Sequence, residues 1–246
     1  MKRFVIFLGL LSMACSKEKD GVELARPNKK AITVKILPKP IIGTTRPVLS
    51  DSIEGNDYID EIRIYQTRIE FNKDSLATLF YRIHFLKDKE IVSEIKDKLA
   101  YDQGSEWYTF PDLMHMENDT VNTDRRFIEI SNGFPACGYG HLNMLFFADE
   151  NGVRKVAQNY SMADGEYGSY TEYIPTVENG KAIKFSSVAI LRDESNQSTP
   201  EKEMILVNYS DSTDYEWENG KWQAHRRTPK EKVYRKKHVP LLHDVP

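Results

Sequence analysis

The residues best suited to chemistry fall in two neighbouring stretches near the middle of the chain. Phe134-Pro135-Ala136-Cys137-Gly138-Tyr139-Gly140-His141 places a thiol and an imidazole four residues apart in a glycine-rich frame. A cysteine nucleophile needs a general base within hydrogen-bond reach. Four apart suits one face of a helix, but Gly138 and Gly140 oppose a helix there. On a strand the two side chains share a side yet stand about 13 Å apart, at about 3.3 Å per residue. No third group is placed to orient His141. The spacing therefore predicts a close crossing of backbones at the glycines, with Cys137 buried as a small apolar side chain.

The second stretch runs from Tyr160 to Ser169, with Tyr170 next in the chain, and holds Asp164, Gly165, Glu166, Tyr167 and Gly168. Tyrosines in a glycine-rich loop offer rigid apolar area with a polar handle, the composition of a sugar or partner platform. Asp164, Glu166, Tyr167 and Tyr170 are the candidate ligand-binding residues. Carboxylates and carbonyls could also hold a hard cation, but the Asp-x-Asp-x-Asp-Gly spacing is absent. None of the six histidines forms His-x-x-x-His, and no cysteine pair supports zinc. Gly-x-Ser-x-Gly and the P-loop pattern are missing as well. No metal, cofactor or catalytic residue is expected.

The N-terminus says where such a domain would act. Lys2 and Arg3 precede eleven apolar, small or Ser residues, Phe4 to Ala14, and then Cys15. That is the length of a secretory h-region and too short to span a bilayer. Ala14-Cys15 at the end of the run, with Ser12 where an aliphatic residue is usual, resembles the lipobox of bacterial lipoproteins. The resemblance implies removal of residues 1–14, acylation of Cys15 and attachment to a membrane by lipid. Ser16-Lys17-Glu18-Lys19-Asp20 is similar to the surface-export signal of lipoproteins from Bacteroidetes-type bacteria. Asp followed by Ser or Thr, at Asp51, Asp74, Asp119 and Asp211, resembles the O-glycosylation acceptor of the same group. The stretch around Cys137 is similar only to uncharacterised lipoproteins, which carry no activity over to this chain.

Composition fits an exported folded domain. The chain has 246 residues, 40% hydrophobic and 11% aromatic, which excludes disorder throughout. Two cysteines exclude a disulfide scaffold. Removing residues 1–14 takes away Lys2 and Arg3 and moves the formal charge from −3 to −5. Arg226 to Lys237 is nevertheless basic, either a solvated tail or an edge strand guarded by cations. An exported, acidic protein is not expected to bind nucleic acid.

Residues 15–56 read as the lipidated Cys and an extended tether, with Pro27, Pro38, Pro40 and Pro47. A single domain follows over 57–225, with a basic tail over 226–246. Asp60 to Phe71 alternates as strand. Leu76, Leu79, Phe80 and Ile83, then Ile91, Ile95 and Leu99, have helical spacing and predict helix over much of 75–100. Tyr81 to Phe85 also alternates and could be strand. From Arg126 onward short β-type runs alternate with turns. Glu218-Asn219-Gly220-Lys221 is the strongest turn signal, since Asn-Gly supplies the two positive-φ positions of a type I′ hairpin. That turn sets Glu218 opposite Lys221 and Trp217 opposite Trp222.

The expected fold is α+β, mostly antiparallel sheet with a helical segment near 75–100. The expected function is a lipid-anchored cell-envelope protein at the outer membrane, binding a glycan or protein partner or serving an accessory role. An envelope hydrolase acting on glycan or peptide is the alternative.

Overall fold

Alternation of apolar residues at period two decides this fold almost everywhere. The computed structural model describes residues 41–111, 124–136, 138–199 and 201–241. These hold fourteen strands: β1 (Ile41–Ile42), β2 (Leu49–Ser52), β3 (Glu61–Phe71), β4 (Ala77–Lys87), β5 (Glu90–Tyr101), β6 (Glu106–Pro111), β7 (Phe127–Gly133), β8 (Gly140–Asp149), β9 (Gly152–Asp164), β10 (Tyr167–Glu178), β11 (Lys181–Glu194), β12 (Met204–Glu218), β13 (Lys221–Arg226) and β14 (Arg235–Pro240). No helix occurs among the described residues.

All pairings are antiparallel. In the first sheet β1 and β2 both pair with β3, followed by β4 and β5. The second sheet is a meander from β6 to β12, with β13 and β14 sharing the far edge of β12.

The α+β expectation is therefore corrected to all-β, and the helix expected near 75–100 is the β4–β5 hairpin. The reason lies in the spacing. Ile91, Ile95 and Leu99 are four apart, a spacing that suits one face of a regular strand as well as of a helix; in β5 a bulge at Val92 interrupts it, leaving Ile91 exposed while Leu99 is buried. Within β4 the core takes Leu79, Tyr81, Ile83 and Phe85, while Leu76 is left exposed. Asp88 and Lys89 turn the chain at φ 51° and 70° without a glycine. Part of the expected tether is also strand, since β1 and β2 lie within 15–56. In the expected C-terminal tail, β14 runs along β12 as an edge strand carrying Arg235, Lys236 and Lys237.

The turn at Asn219-Gly220 forms as its residues dictate. Asn219 and Gly220 take φ 51° and 75°, and the ladder pairs Trp217 with Trp222 and Glu218 with Lys221. The two indoles meet edge-on at 5.4 Å.

The second sheet does not stay continuous. β9 and β10 share a ladder only at 162–164 with 167–169, although they have 13 and 12 residues. Beyond that tip they diverge, and a core fills the space between the layers they lead. Phe127, Leu145 and Phe147 from β7 and β8 meet Tyr173, Phe185 and Tyr215 from β10 to β12. The opposite faces of β7 and β8 pack on the first sheet, with Ile128, Ile130, Met144 and Phe146 against Ile62, Leu79, Ile83 and Phe85. Every residue of β7 is buried as a result.

Candidate functional site

The divergence of β9 from β10 opens a cavity of about 810 Å³ between the layers. Its floor is the face of β7, β8 and β9 that continues the second core. On that face Phe127 is succeeded by Glu129 and Ser131, Leu145 is preceded by Asn143, and Ser161 follows on β9. Alternation turns apolar core into polar floor within two residues of each strand.

The floor is tied together by hydrogen bonds. Ser131 Oγ donates to Asn143 Oδ1 at 2.8 Å. Asn143 Nδ2 donates to Ser161 Oγ at 2.8 Å and to Asn159 Oδ1 at 3.2 Å. Asn159 Nδ2 in turn donates to the Tyr173 hydroxyl oxygen at 2.8 Å. Glu129 stands outside this network. It is 3% exposed, and its carboxyl makes no hydrogen bond or ion pair with a described residue. Burial pushes its pKa up from 4.5 to about 7. Burial also raises the Tyr173 hydroxyl well above its ordinary value, and the nearby Glu129 adds to the effect.

The mouth is aromatic. Tyr139, half exposed, packs on Phe134 with rings 4.7 Å apart, and Tyr167 is exposed beside it in the lining. His141 pairs with Gly133 in the ladder. A Cβ on Gly133 would lie 2.5 Å from the imidazole, so glycine is what lets the ring lie across β7. Arg192 Nη2 reaches Glu166 at 3.2 Å at the rim.

Of the four candidate ligand-binding residues, Glu166, Tyr167 and Tyr170 border this cavity. Tyr170 does so at the β10 edge that lacks a β9 partner, while its ring packs toward Val188, Ile190, Ile205 and Val207. Asp164 pairs with Tyr167 at the hairpin tip and is exposed. Cys15 and Cys137 lie outside the described residues. The glycines near Cys137 do not mark a crossing of strands: Gly138 takes φ 79° in open space, and the nearest atom to a Cβ on Gly140 is 3.9 Å away. At the acceptor-like Asp-Ser pairs, Ser52 and Ser75 are exposed and Ser212 is fully buried; Asp119 is outside the described residues.

Sequence reasoning passed over Glu129. Its signal was the Phe127-Ile128-Glu129-Ile130 alternation, which reads as one buried and one solvent face, whereas both faces of β7 are covered. It also passed over Glu216, Glu218 and His225, whose donor atoms gather within 4.8 Å on the β12–β13 hairpin. That cluster is exposed, and its glutamates have Lys184 and Lys221 as ladder partners.

Comparison with known protein families, with characterised proteins and with solved structures finds no match. What the chain does is argued from the cavity itself.

Proposed function

We propose that this is a lipid-anchored protein of the bacterial cell envelope whose domain binds a small ligand between its two diverging layers. The observation that carries the binding reading is the cavity at the β9–β10 divergence. Its polar floor is held rigid by paired side chains, and its mouth is rimmed by tyrosines. Ligand sites are typically concave, mostly apolar and furnished with a few fixed polar groups. The anchor rests on the h-region and Cys15, and an outer-membrane location follows from the lipoprotein resemblance.

A hydrolase acting on glycan or peptide is the second reading, favoured by one observation. Glu129 has the raised pKa that a general acid needs at neutral pH. Binding is preferred because the arranged contacts of the cavity are hydrogen bonds among amides and hydroxyls. No nucleophile-base pair is formed among the described lining residues.

The test is capture. The chain lacking residues 1–14 is incubated with glycan arrays and with envelope extract, and retained small molecules are identified by mass spectrometry. Ser169→Trp, which fills the lining at the β9–β10 tip, should abolish retention while leaving the fold intact. Retention unchanged by Ser169→Trp would overturn the cavity as the site. Release of cleaved products in place of intact ligand would establish the hydrolase instead.

A further inference from the structure

The floor of the cavity contains one group whose requirements the described residues do not meet. Glu129 is 97% removed from solvent, given its 3% exposure, yet has no charged or hydrogen-bonding partner among the described residues. A buried carboxylate without a partner is costly, and in a closed core it would be replaced or paired. Its ladder neighbours are Phe110 on β6 and Leu145 on β8, both apolar. Tyr173 on β10 is the titratable group close enough to feel its charge, and Tyr173 stays neutral over the accessible pH range. The neighbouring polar floor is already satisfied from Ser131 through to Tyr173.

The other charges around the cavity have the same sign preference. The charged groups placed at floor and rim are Glu129 and Glu166, against Arg192, which lies 3.2 Å from Glu166. No lysine is among the described lining residues. An anionic ligand would meet Glu129 with repulsion, and at the rim the charge of Arg192 is balanced by Glu166. An organic cation would be attracted to the floor. Its charged end would pair with Glu129, and Phe110, Tyr139 and Tyr167 would offer ring faces to the cation in transit and apolar area to its body.

Resting on the cavity-binding reading, we propose that the ligand carries a protonated amine on an apolar body, with the Glu129 carboxylate as its counter-ion at the floor. The amine donates hydrogen bonds to a carboxylate that has none from the described residues, which is the strong, charge-assisted kind.

The experiment uses three probes with one apolar body: 4-phenylbutylamine, 4-phenylbutanol and 4-phenylbutyrate. They are titrated calorimetrically into the chain lacking residues 1–14 at pH 8, where Glu129 is ionised. The amine should bind at least ten-fold tighter than the alcohol, and the carboxylate weakest. Glu129→Gln should remove the preference for the amine and leave the alcohol unchanged. A measurement on the unaltered chain keeps the proposal testable if that variant misfolds. At pH 7, amine binding should release roughly half a proton, read from buffers of different ionisation enthalpy, because the cation favours the ionised form. Alcohol or carboxylate binding as tight as the amine, and lost in Ser169→Trp, would overturn the amine assignment and leave the cavity reading standing. Binding of none of the three would count against both.

Discussion

Asn159 on β9 donates from Nδ2 to the hydroxyl oxygen of Tyr173 on β10 at 2.8 Å, across strands whose ladder has already ended. The bond spans the gap that opens the cavity, so it sets the spacing of the two layers where backbone pairing no longer can. Tyr173 is 1% exposed, and its ring is packed against Phe185 at 5.9 Å. Tyr173→Phe keeps that packing and removes only the acceptor. Leaving a buried amide short of a partner costs about 1–3 kcal/mol. Urea unfolding should show a loss of about that size, and a double-mutant cycle with Asn159→Ala should return a coupling of about 1 kcal/mol. A coupling near zero would mean the two side chains do not hold the layers.

Glu129 makes stability depend on pH with a definite sign. Its pKa is raised on folding, from 4.5 to about 7. Below about pH 4.5 both states are protonated and burial carries no ionisation penalty. Between the two values the unfolded chain gives up its proton and the folded chain keeps it, so stability falls as pH rises and levels off above about pH 7. At about 1.4 kcal/mol per unit the whole loss is about 3 kcal/mol. Glu129→Gln lacks this titration. Urea melts of the two chains at pH 5 and pH 8 should show the variant gaining on its parent by up to about 3 kcal/mol. A gap of constant size at both pH values would place Glu129 in a more polar setting than its burial implies.

The Trp217–Trp222 pair tests how local the β12–β13 hairpin is. The indoles lie 5.4 Å apart, and Trp222 also meets Phe185 at 5.1 Å in the second core. The cross-strand pair itself should couple by about 0.2–1 kcal/mol in a double-mutant cycle to alanine. Trp222→Ala alone should cost more than Trp217→Ala, because Trp222 packs on Phe127, Phe147 and Phe185 of that core, whereas Trp217 is 38% exposed and reaches Phe147. Equal costs would show that the hairpin is stabilised by the pair and not by docking.

These particulars separate what could be read in the sequence from what could not. Asn219-Gly220 was legible because two adjacent residues carry the whole signal for positive φ. Asp88-Lys89 was not, since it turns the chain the same way with residues that have no such preference, and its flanks are spaced in fours that suit helix and strand alike. At the site, Glu166 and Tyr167 could be picked out because glycines and tyrosines mark a hairpin tip. Glu129 could not, for its burial is decided by β10 to β13 folding back over β7, a contact between residues some 40 to 90 positions apart in the chain.

Gly168 brings local and long-range requirements together. It takes φ 135°, a conformation unfavourable to any residue with a Cβ, and an added Cβ would stand 2.1 Å from the Met162 carbonyl oxygen and 3.0 Å from Ala163 Cα. Both obstacles are backbone of β9, so neither can swing aside. Gly165, at the turn of the same hairpin, takes φ 59° with nothing near its missing Cβ. Gly165→Ala should therefore cost only the left-handed conformation, about 1–2 kcal/mol. Gly168→Ala adds a backbone collision at the three-pair ladder that is the whole backbone pairing of β9 with β10. Its expected cost is about 3 kcal/mol or more, with loss of ligand retention even where the rest of the chain stays folded. Amide exchange over 162–169 and thermal melts of the two variants would check this. Equal losses for the two alanines would show that the junction can move aside, and that the cavity does not depend on so close a crossing.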